Sequence, residues 1–346
     1  MVKICSVSAI AKIIESHSLD KLLSDLIQEL KKDFARWSDF DKRPRSSFGN
    51  DDGVLELMPI SDQELFSYKY VNAHPKNPFD NKQTVTAIGQ LSNMSDGYPI
   101  LISEMTLLTA LRTAATAALA TDLLSKKDSS VLSLIGTGAQ SDFQAVATRL
   151  VRPIKTIKFY DIDQNAMQKF QKNMSHYDFE LIPCKSHEEA VEGSSIITVC
   201  TAARKHEIVI KDEWVKKGMH INGLGGDCPG KTELDKKTLE RSKVIVELFE
   251  QSFIEGDIQL FATKGEAKKA VHAELWQLIN NLKSKRESSD EITVFDSVGF
   301  AIEDLSVLKM IYNMSNKYNI GQNIDMIPNI TDPKNLFSVL NKSYKT

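Results

Sequence analysis

The sequence predicts an α/β protein that combines a doubly wound parallel sheet with a second, α+β domain. Residues 131 to about 300 alternate short apolar runs with helical segments, which is typical of a parallel sheet covered by helices. A glycine-rich turn follows the first of these runs, where such sheets bind ligands. Before residue 105 the pattern changes to helices followed by short strands, which indicates a separate unit.

The elements are predicted in chain order from their periodicity. Residues 1 to about 40 carry apolar residues at helical spacing, namely Leu22, Leu23, Leu26, Ile27 and Leu30. Short strands follow over 54–58, 66–71, 84–91 and 98–102, with Asp96-Gly97 as a hairpin turn. A helix rich in small residues covers 104–124. The parallel strands are 131–135, 157–160, 195–199, 220–222, 244–246 and 292–295, and a last helix covers 301–314.

Composition excludes several classes of protein. The 346 residues suffice for about two domains. Lys+Arg 43 against Asp+Glu 46 gives a net charge of −3 without a basic stripe, so nucleic acid is not an expected partner. The four cysteines are scattered, which indicates neither a zinc site nor a disulfide scaffold. No apolar run approaches the roughly 18 residues of a membrane span, so we expect a soluble, cytoplasmic protein without a membrane partner.

The glycine-rich turn predicts a nucleotide site and has the sequence Gly136-Thr137-Gly138-Ala139-Gln140-Ser141. Gly136 permits the tight turn, Gly138 lets the backbone approach a pyrophosphate, and the following helix offers N–H groups to the phosphates. Asp161 ends the next strand, twenty residues after Ser141, where a carboxylate binds both ribose hydroxyls and repels a 2′-phosphate. The pattern therefore favours NAD in a Rossmann-type domain. The alternatives are an ordinary glycine-rich turn and an Asp161 that caps a helix.

Two charged residues outside this domain indicate a polar site. Arg112 is the only charge between Glu104 and Asp122, in a helix of otherwise uncharged residues, and a buried guanidinium needs an anion. That anion is either a substrate carboxylate or cofactor pyrophosphate, or else a distant acidic side chain. Glu56 alternates with apolar residues on a strand, so it is either an interior carboxylate facing an ammonium group or an exposed edge residue. Lys69 and Arg45 do not indicate a site by themselves, because a single basic residue near a strand usually lies on a solvated face.

A second glycine-rich loop, residues 223–231, follows a predicted strand. Its glycines allow close backbone approach, Asp227 can act as an acid or base, and Lys231 can meet a phosphate, although a surface turn has a similar composition. The segment 296–299 occupies the same position after a later strand. Cys228 lies beside Asp227 without a recognisable histidine partner, so we do not interpret it as a nucleophile.

From about Arg45 to Asp304 the sequence resembles the ornithine cyclodeaminase/mu-crystallin family. The segments that carry the resemblance are ELMP (56–59), KYVNAHPKN (69–77), SEMTLLTALRTAAT (103–116), IGTGAQS (135–141), GGDCPGKTEL (225–234) and FDSVGFA (295–301). The first and fifth resemble the cyclodeaminase branch more than the alanine dehydrogenase or ketimine reductase branches. The resemblance implies a Rossmann NAD-binding domain over 126–309 and a substrate-binding and dimerisation domain over 1–125 with 310–346. It also implies a homodimer and an active site in the cleft.

The resemblance also implies roles for single residues. Arg45, Lys69 and Arg112 hold a substrate carboxylate. Glu56 and Asp227 face its amino groups, with Asp227 as the catalytic acid/base, and Val298 touches the substrate. Together with the residues of the turn, the predicted cofactor-binding set is Thr84, Arg112, Gly136, Gly138, Ala139, Gln140, Ser141, Asp161, Thr201, Leu224, Gly225, Gly226, Lys231 and Ser297.

The implied activity is the redox-neutral conversion of L-ornithine to L-proline and ammonia with bound NAD. Hydride leaves Cα, the δ-amine attacks that carbon, the α-nitrogen departs as ammonia, and the hydride returns to the cyclic imine. Three alternatives stay open. They are cyclodeamination of lysine, a net NAD-dependent amino-acid dehydrogenase or ketimine reductase, and a nucleotide-binding protein without catalysis.

Overall fold

The N-terminal part of the chain supplies most of a mainly antiparallel sheet. In the computed structural model, which describes residues 1–202, 207–226 and 228–343, these strands are β1 (Val2–Cys5), β2 (Asp41–Lys42), β3 (Ser46–Asn50), β4 (Gly53–Ser61), β5 (Leu65–Ala73), β6 (Val85–Asn93) and β7 (Pro99–Glu104). They lie in the order β1-β7-β6-β5-β4-β2, and β3 also pairs with β4. Alternation of side chains along β4 and β5 turns Glu56 and Lys69 towards the buried face.

Three helices accompany this sheet: α1 (Val7–His17), α2 (Leu19–Ala35) and α3 (Thr106–Leu124). The side chains of Ser6 and Ser18 accept hydrogen bonds from the first turns of α1 and α2, which fixes where these helices begin. The predicted apolar stripe of α2 is fully buried. The many alanines and threonines of α3 let α2 and a helix of the second domain pack closely against it.

The second sheet is entirely parallel. Its strands are β8 (Val131–Ile135), β9 (Thr156–Tyr160), β10 (Glu180–Pro183), β11 (Ile196–Val199), β12 (His220–Gly223), β13 (Lys243–Val246), β14 (Val271–Glu274) and β15 (Thr293–Asp296), in the order β10-β9-β8-β11-β12-β15-β13-β14. Its helices are α4 (Ser141–Val151), α5 (Gln164–Met174), α6 (His187–Val191), α7 (Lys236–Glu240), α8 (Phe249–Glu255), α9 (Lys264–Ala270) and α10 (Leu275–Ile279). The carboxyl ends of β8, β11, β12 and β15 therefore share one edge.

The chain then returns to the first sheet. Helix α11 (Ala301–Lys317) packs on α2, α3 and the buried face of β4 to β6. Strand β16 (Gln322–Ile324) pairs antiparallel with β1, and α12 (Ser338–Ser343) follows. The predicted division of the chain at residue 309 thus falls inside α11.

One hydrophobic core runs through both sheets. It joins the buried face of the first sheet, including Met58 and Leu101, to α2, α3 and α11. It continues to one face of the second sheet, where Leu132 and Phe159 belong to the same cluster. A separate cluster covers the opposite face of the parallel sheet, with Val199 and Val244 among its members. Helix α3 is therefore shared by both sheets.

The predicted fold class is confirmed, with a parallel sheet and a second antiparallel-rich sheet. All ten strands predicted from periodicity are present, as is the hairpin at Asp96-Gly97, where Gly97 has φ +73°. Several short strands were missed. β1 has only four residues and lies inside the segment that we expected to be helical, and β16 has only three residues, two of them polar, so neither is long enough to show a clear strand pattern.

The expectation about apolar length was wrong for α3. Its 19 residues, with a mean hydropathy of 1.3, are long and apolar enough for a membrane span by length and composition. However, 78% of this stretch is buried inside the fold, which is the pattern of a core helix.

Candidate active site

The glycine-rich turn forms a cradle at the N-terminus of α4. Gly136 has φ +89°, and a Cβ there would lie 2.9 Å from the carbonyl of Cys200, so only glycine fits. Gly138 is exposed, and a Cβ built on it meets nothing within 4 Å. Ser141 is buried and its Oγ donates to the Gly138 carbonyl at 2.9 Å, which closes the turn. Ala139 is exposed and Gln140 half-buried at the same open face.

Asp161 lies at the end of β9, beside this turn. Its Oδ2 accepts a hydrogen bond from the backbone N–H of Thr137 at 2.6 Å, and its Oδ1 accepts from the N–H of Asp163 at 2.9 Å. The cap of α5 is Asp163 instead, because its side chain accepts from Asn165 N. Asp161 is therefore held against the glycine turn, as a carboxylate that binds ribose would be. The open cradle, the free helix N-terminus and this carboxylate together fit a dinucleotide.

The loop that follows β12 contacts the loop that follows β11. The hydroxyl of Thr201 donates to Oε1 of Glu233. A Cβ on Gly225 would lie 1.6 Å from Oε2 of Glu233, so glycine is required there by space alone. Leu224 is half-buried, whereas Gly226 and Lys231 are buried. Asp227, the predicted acid/base, lies outside the described residues.

The loop after β15 is held by a buried carboxylate. Oε1 of Glu247 accepts from the Ser297 hydroxyl at 2.5 Å and from Gly299 N at 3.2 Å, and Oε2 accepts from Val298 N at 3.1 Å. Glu247 follows β13 directly, and sequence reasoning missed it. Burial raises its pKa, against these three hydrogen bonds. The predicted contact residues Ser297 and Val298 are thus fixed in position at the edge of the parallel sheet.

Arg45 joins this loop to the first sheet. Its Nη2 donates to the carbonyls of Val298 and Gly299, each at 2.7 Å, and its Nη1 contacts Glu56 at 2.9 Å. Glu56 is 7% exposed and also accepts from the Ser47 hydroxyl at 3.0 Å. The alternative of an exposed edge position is therefore wrong for Glu56. The Nε of Arg45 lies 3.1 Å from Glu255, another carboxylate that the sequence did not reveal.

Lys69 and Arg112 share a carboxylate at the start of α11. The Nζ of Lys69 lies 3.0 Å from Oδ1 of Asp304, and the Nε of Arg112 lies 3.2 Å from the same oxygen. Nη1 of Arg112 contacts Glu303 at 2.7 Å. The ion pair with distant acidic side chains is therefore present, 191 residues along the chain. Arg112 also abuts Gly299, where a Cβ would lie 2.4 Å from Nη1.

Burial changes the protonation of this cluster. It lowers the pKa of Lys69 to about 8, helped by the positive charge of Arg112 and opposed by Asp304. Burial also raises the pKa of Glu303 to about 8, although Arg112 opposes that shift. Charges of both signs are therefore adjacent and shielded from water, an arrangement that is complementary to a zwitterion such as an amino acid.

The structure thus brings Arg45, Arg112 and Val298 together at Gly299, with Glu56 paired to Arg45 and Lys69 joined to Arg112 through Asp304. The predicted dinucleotide residues lie at the carboxyl ends of β8, β9, β11, β12 and β15, along one edge of the parallel sheet. Thr84 precedes β6 in the first sheet, where its carbonyl accepts from His74 N. Among the sites that the sequence did not predict are Glu247, Glu255, Glu303 and Asp304.

Comparison with known proteins agrees with this arrangement. The model of the ornithine cyclodeaminase/mu-crystallin family matches residues 7–319. An ornithine cyclodeaminase from Agrobacterium tumefaciens (strain Ach5) is 43% identical over 340 residues, which are 98% of this chain and 94% of the relative. An archaeal alanine dehydrogenase dimer with bound NAD superposes with a TM-score of 0.86 at 32% identity, covering 94% of this chain and 99% of that one. A lysine cyclodeaminase structure, on the recognition of L-lysine, L-ornithine and L-2,4-diaminobutyric acid, gives a TM-score of 0.90 at 25% identity. It covers 97% of this chain and 98% of the other.

Proposed function

Since the chain belongs to the ornithine cyclodeaminase/mu-crystallin family, we propose that it converts L-ornithine to L-proline and ammonia. The observation that carries the proposal is a buried charged cluster at the edge of the parallel sheet that also carries the glycine-rich turn. Arg45 and Arg112 contact Gly299, Glu56 pairs with Arg45, and Lys69 shares Asp304 with Arg112. The cofactor is NAD, in keeping with Asp161 at the end of β9. When bound, NAD accepts a hydride from the substrate and gives it back, so the reaction needs no external oxidant.

The residues of the chain bind and orient the substrate. Arg45, Lys69 and Arg112 would fix its carboxylate, which sets the direction of the Cα–H bond. Glu56 would accept hydrogen bonds from an amino group. Asp227 would move the proton between the two nitrogens, since attack by the δ-amine requires its neutral form. The burial of the cluster excludes water from the imine carbon, so that hydrolysis to a keto acid does not compete with cyclisation.

The test uses L-ornithine deuterated at Cα, with substoichiometric NAD+ and the purified protein. Proline, ammonia and the absorbance of NADH are followed together. We expect proline that retains the label at Cα, an equal amount of ammonia and no lasting NADH signal. Steady accumulation of NADH with a keto product would instead identify a dehydrogenase. Faster formation of pipecolate from L-lysine would identify a lysine cyclodeaminase, the reaction named for one structural relative.

A pH dependence follows from Lys69. Its pKa of about 8 lies below the ordinary 10.5, so the positive charge is present below pH 8 and lost above it. We expect the KM for L-ornithine to rise above pH 8, because the substrate carboxylate then loses one cation. Lys69→Arg keeps its charge over this range. Between pH 8 and 9.5 the KM for L-ornithine should rise less in this variant than in the wild type. An equal rise in both proteins would contradict the role of Lys69.

We further propose a homodimer formed through the outer face of the first sheet. This face carries a row of exposed apolar side chains, in which Leu57, Tyr70 and Ile88 lie opposite one another on β4, β5 and β6. Ile88 is 55% exposed, and Phe48 on β3 is 66% exposed. Contiguous apolar patches of this kind mark protein interfaces, and most homo-oligomers pair such patches about a two-fold axis. The dimeric archaeal relative supports the proposal.

A charge placed in this row should separate the protomers. We expect Ile88→Asp to halve the mass measured by light scattering, because each protomer would bury an unpaired carboxylate in the apolar contact. Leu282→Asp is the matched control, since Leu282 is 62% exposed in the loop after α10. A dimeric Ile88→Asp variant, or a monomeric wild type, would refute this interface.

The cysteines agree with a reducing environment. All four lie within the described residues and none forms a disulfide. Burial raises the pKa of the Cys184 and Cys5 thiols, which keeps them unreactive. We therefore propose that the enzyme acts in the cytoplasm.

A further inference from the structure

Asp257 and Asp296 are fully buried and take no part in the mechanism above. They lie behind the cofactor edge, which is the edge of the parallel sheet that carries the predicted dinucleotide residues. Asp296 ends β15, and its two oxygens accept from the backbone N–H groups of Asp257 and Ile258, at 2.9 and 3.0 Å. Asp257 in turn accepts from Glu233 N at 2.6 Å and from Leu234 N at 3.1 Å, both through Oδ1. The end of β15 is thus linked, through two carboxyl groups, to the loop that follows β12.

The described part of this loop, residues 224–226 and 228–234, carries four of the predicted site residues, namely Leu224, Gly225, Gly226 and Lys231. It leaves the sheet after Gly223 and returns at the two N–H groups that Asp257 accepts. The other oxygen of Asp257, Oδ2, lies beside the backbone where the loop leaves β12. It would be 3.1 Å from a Cβ on Gly223 and its carboxyl carbon 3.4 Å from a Cβ on Gly226. One side chain therefore contacts both ends of the loop.

Burial and mutual proximity make the ionisation of these two carboxyl groups unfavourable. Burial raises the pKa of both, and that of Asp296 is raised further by the neighbouring Asp257 and Glu247. Asp257 Oδ2 is buried, with no hydrogen-bond partner within the described part of the chain. A shared metal ion does not explain the pair, because no group of three suitable ligands exists in residues 1–202, 207–226 and 228–343.

We propose that Asp257 is a positioning residue for the segments 224–226 and 228–234, with Asp296 holding Asp257 in place. By fixing the backbone at Glu233 and Leu234, Asp257 presents Gly225, Gly226 and Lys231 to bound NAD. This inference rests on the proposed function only in assigning that loop to the cofactor.

The test compares the NAD affinity of purified full-length variants by calorimetry, together with the melting temperature and the kinetic constants. Asp257→Ala leaves two buried N–H groups without an acceptor, and we expect the Kd for NAD to rise about tenfold or more. Asp257→Asn keeps one acceptor oxygen, and its Kd should stay within about threefold of the wild type. The rise in KM for NAD should exceed any change in kcat.

The matched control is Asp33→Ala. Asp33 is equally buried, but it bonds Ser306 and Lys309 between α2 and α11, away from the cofactor edge. We expect this variant to melt at a lower temperature with an unchanged Kd for NAD. An unchanged Kd in Asp257→Ala, or an Asp257→Asn variant as weak as Asp257→Ala, would overturn the inference.

A second variant covers the case in which Asp257→Ala does not fold. In Asp296→Asn the amide nitrogen cannot accept, so either Asp257 N or Ile258 N loses its partner. We expect its Kd for NAD to rise about threefold or more, and a Kd equal to that of the wild type would count against the inference. A wild type that binds NAD but does not turn over L-ornithine would refute only the proposed substrate. A wild type that forms proline, beside an Asp257→Ala variant with normal NAD affinity, would refute only the positioning role.

Discussion

Replacing Arg112 with alanine is expected to lower kcat/KM for L-ornithine by about 10²- to 10³-fold, which corresponds to a loss of about 2.7 to 4.1 kcal/mol of transition-state stabilisation. The variant loses one of the three cations proposed to bind the substrate carboxylate. It also leaves Glu303 and Asp304 buried beside Lys69 alone. Steady-state kinetics and the melting temperature should therefore both change.

Two further variants separate charge from geometry. Arg112→Lys keeps the positive charge but not the planar fork that serves two carboxylates, so we expect an intermediate loss of kcat/KM. Arg149→Ala removes an arginine on α4 that pairs with Asp20 away from the site, and its kinetics should be those of the wild type. If kcat/KM of Arg112→Ala stays within about threefold of the wild type, Arg112 is only a structural ion-pair partner.

The glycine turn provides the second large effect. Gly138→Ala is expected to raise the Kd for NAD at least tenfold without lowering the melting temperature. A methyl group at this position meets no protein atom, yet it fills the space through which the backbone would approach the pyrophosphate. Gly136→Ala should both raise the Kd for NAD and lower the melting temperature, because Gly136 has φ +89° and Cys200 would lie 2.9 Å from the new Cβ.

Gly97→Ala is the control for backbone strain alone. Gly97 has φ +73° in the hairpin between β6 and β7, with no neighbour within 4 Å of an added Cβ. We expect a lower melting temperature and an unchanged Kd for NAD. An unaltered Kd in Gly138→Ala would show that the cofactor phosphates lie elsewhere.

The sequence predicted the parallel sheet well because its strands are short apolar runs separated by helices, a local pattern. It also predicted that Arg112 is buried, since a single charge stands in an apolar helix. It could not identify Glu303 and Asp304 as partners, because the contact joins α3 to α11 across nearly two hundred residues. No local periodicity encodes a pairing of that range.

The burial of Glu56 also could not be predicted from the local sequence. Alternation separated it from Leu55 and Leu57, but only the packing of α11 decides which face of the first sheet is covered. Glu247 and Asp296, in contrast, left a usable signal. Each is an acidic residue at the end of an apolar run that forms a parallel strand, where the sheet meets its ligand edge.

The core shared through α3 has a consequence for how the protein loses its structure. Proteins with two sheets in separate domains commonly melt in two steps, because each hydrophobic core is independent. Here the residues that cover the first sheet belong to the same cluster as one face of the second. Neither sheet can lose its packing without exposing the core of the other, so calorimetry should record one cooperative transition. NAD bound at the carboxyl ends of the parallel strands should therefore raise the melting temperature of both sheets.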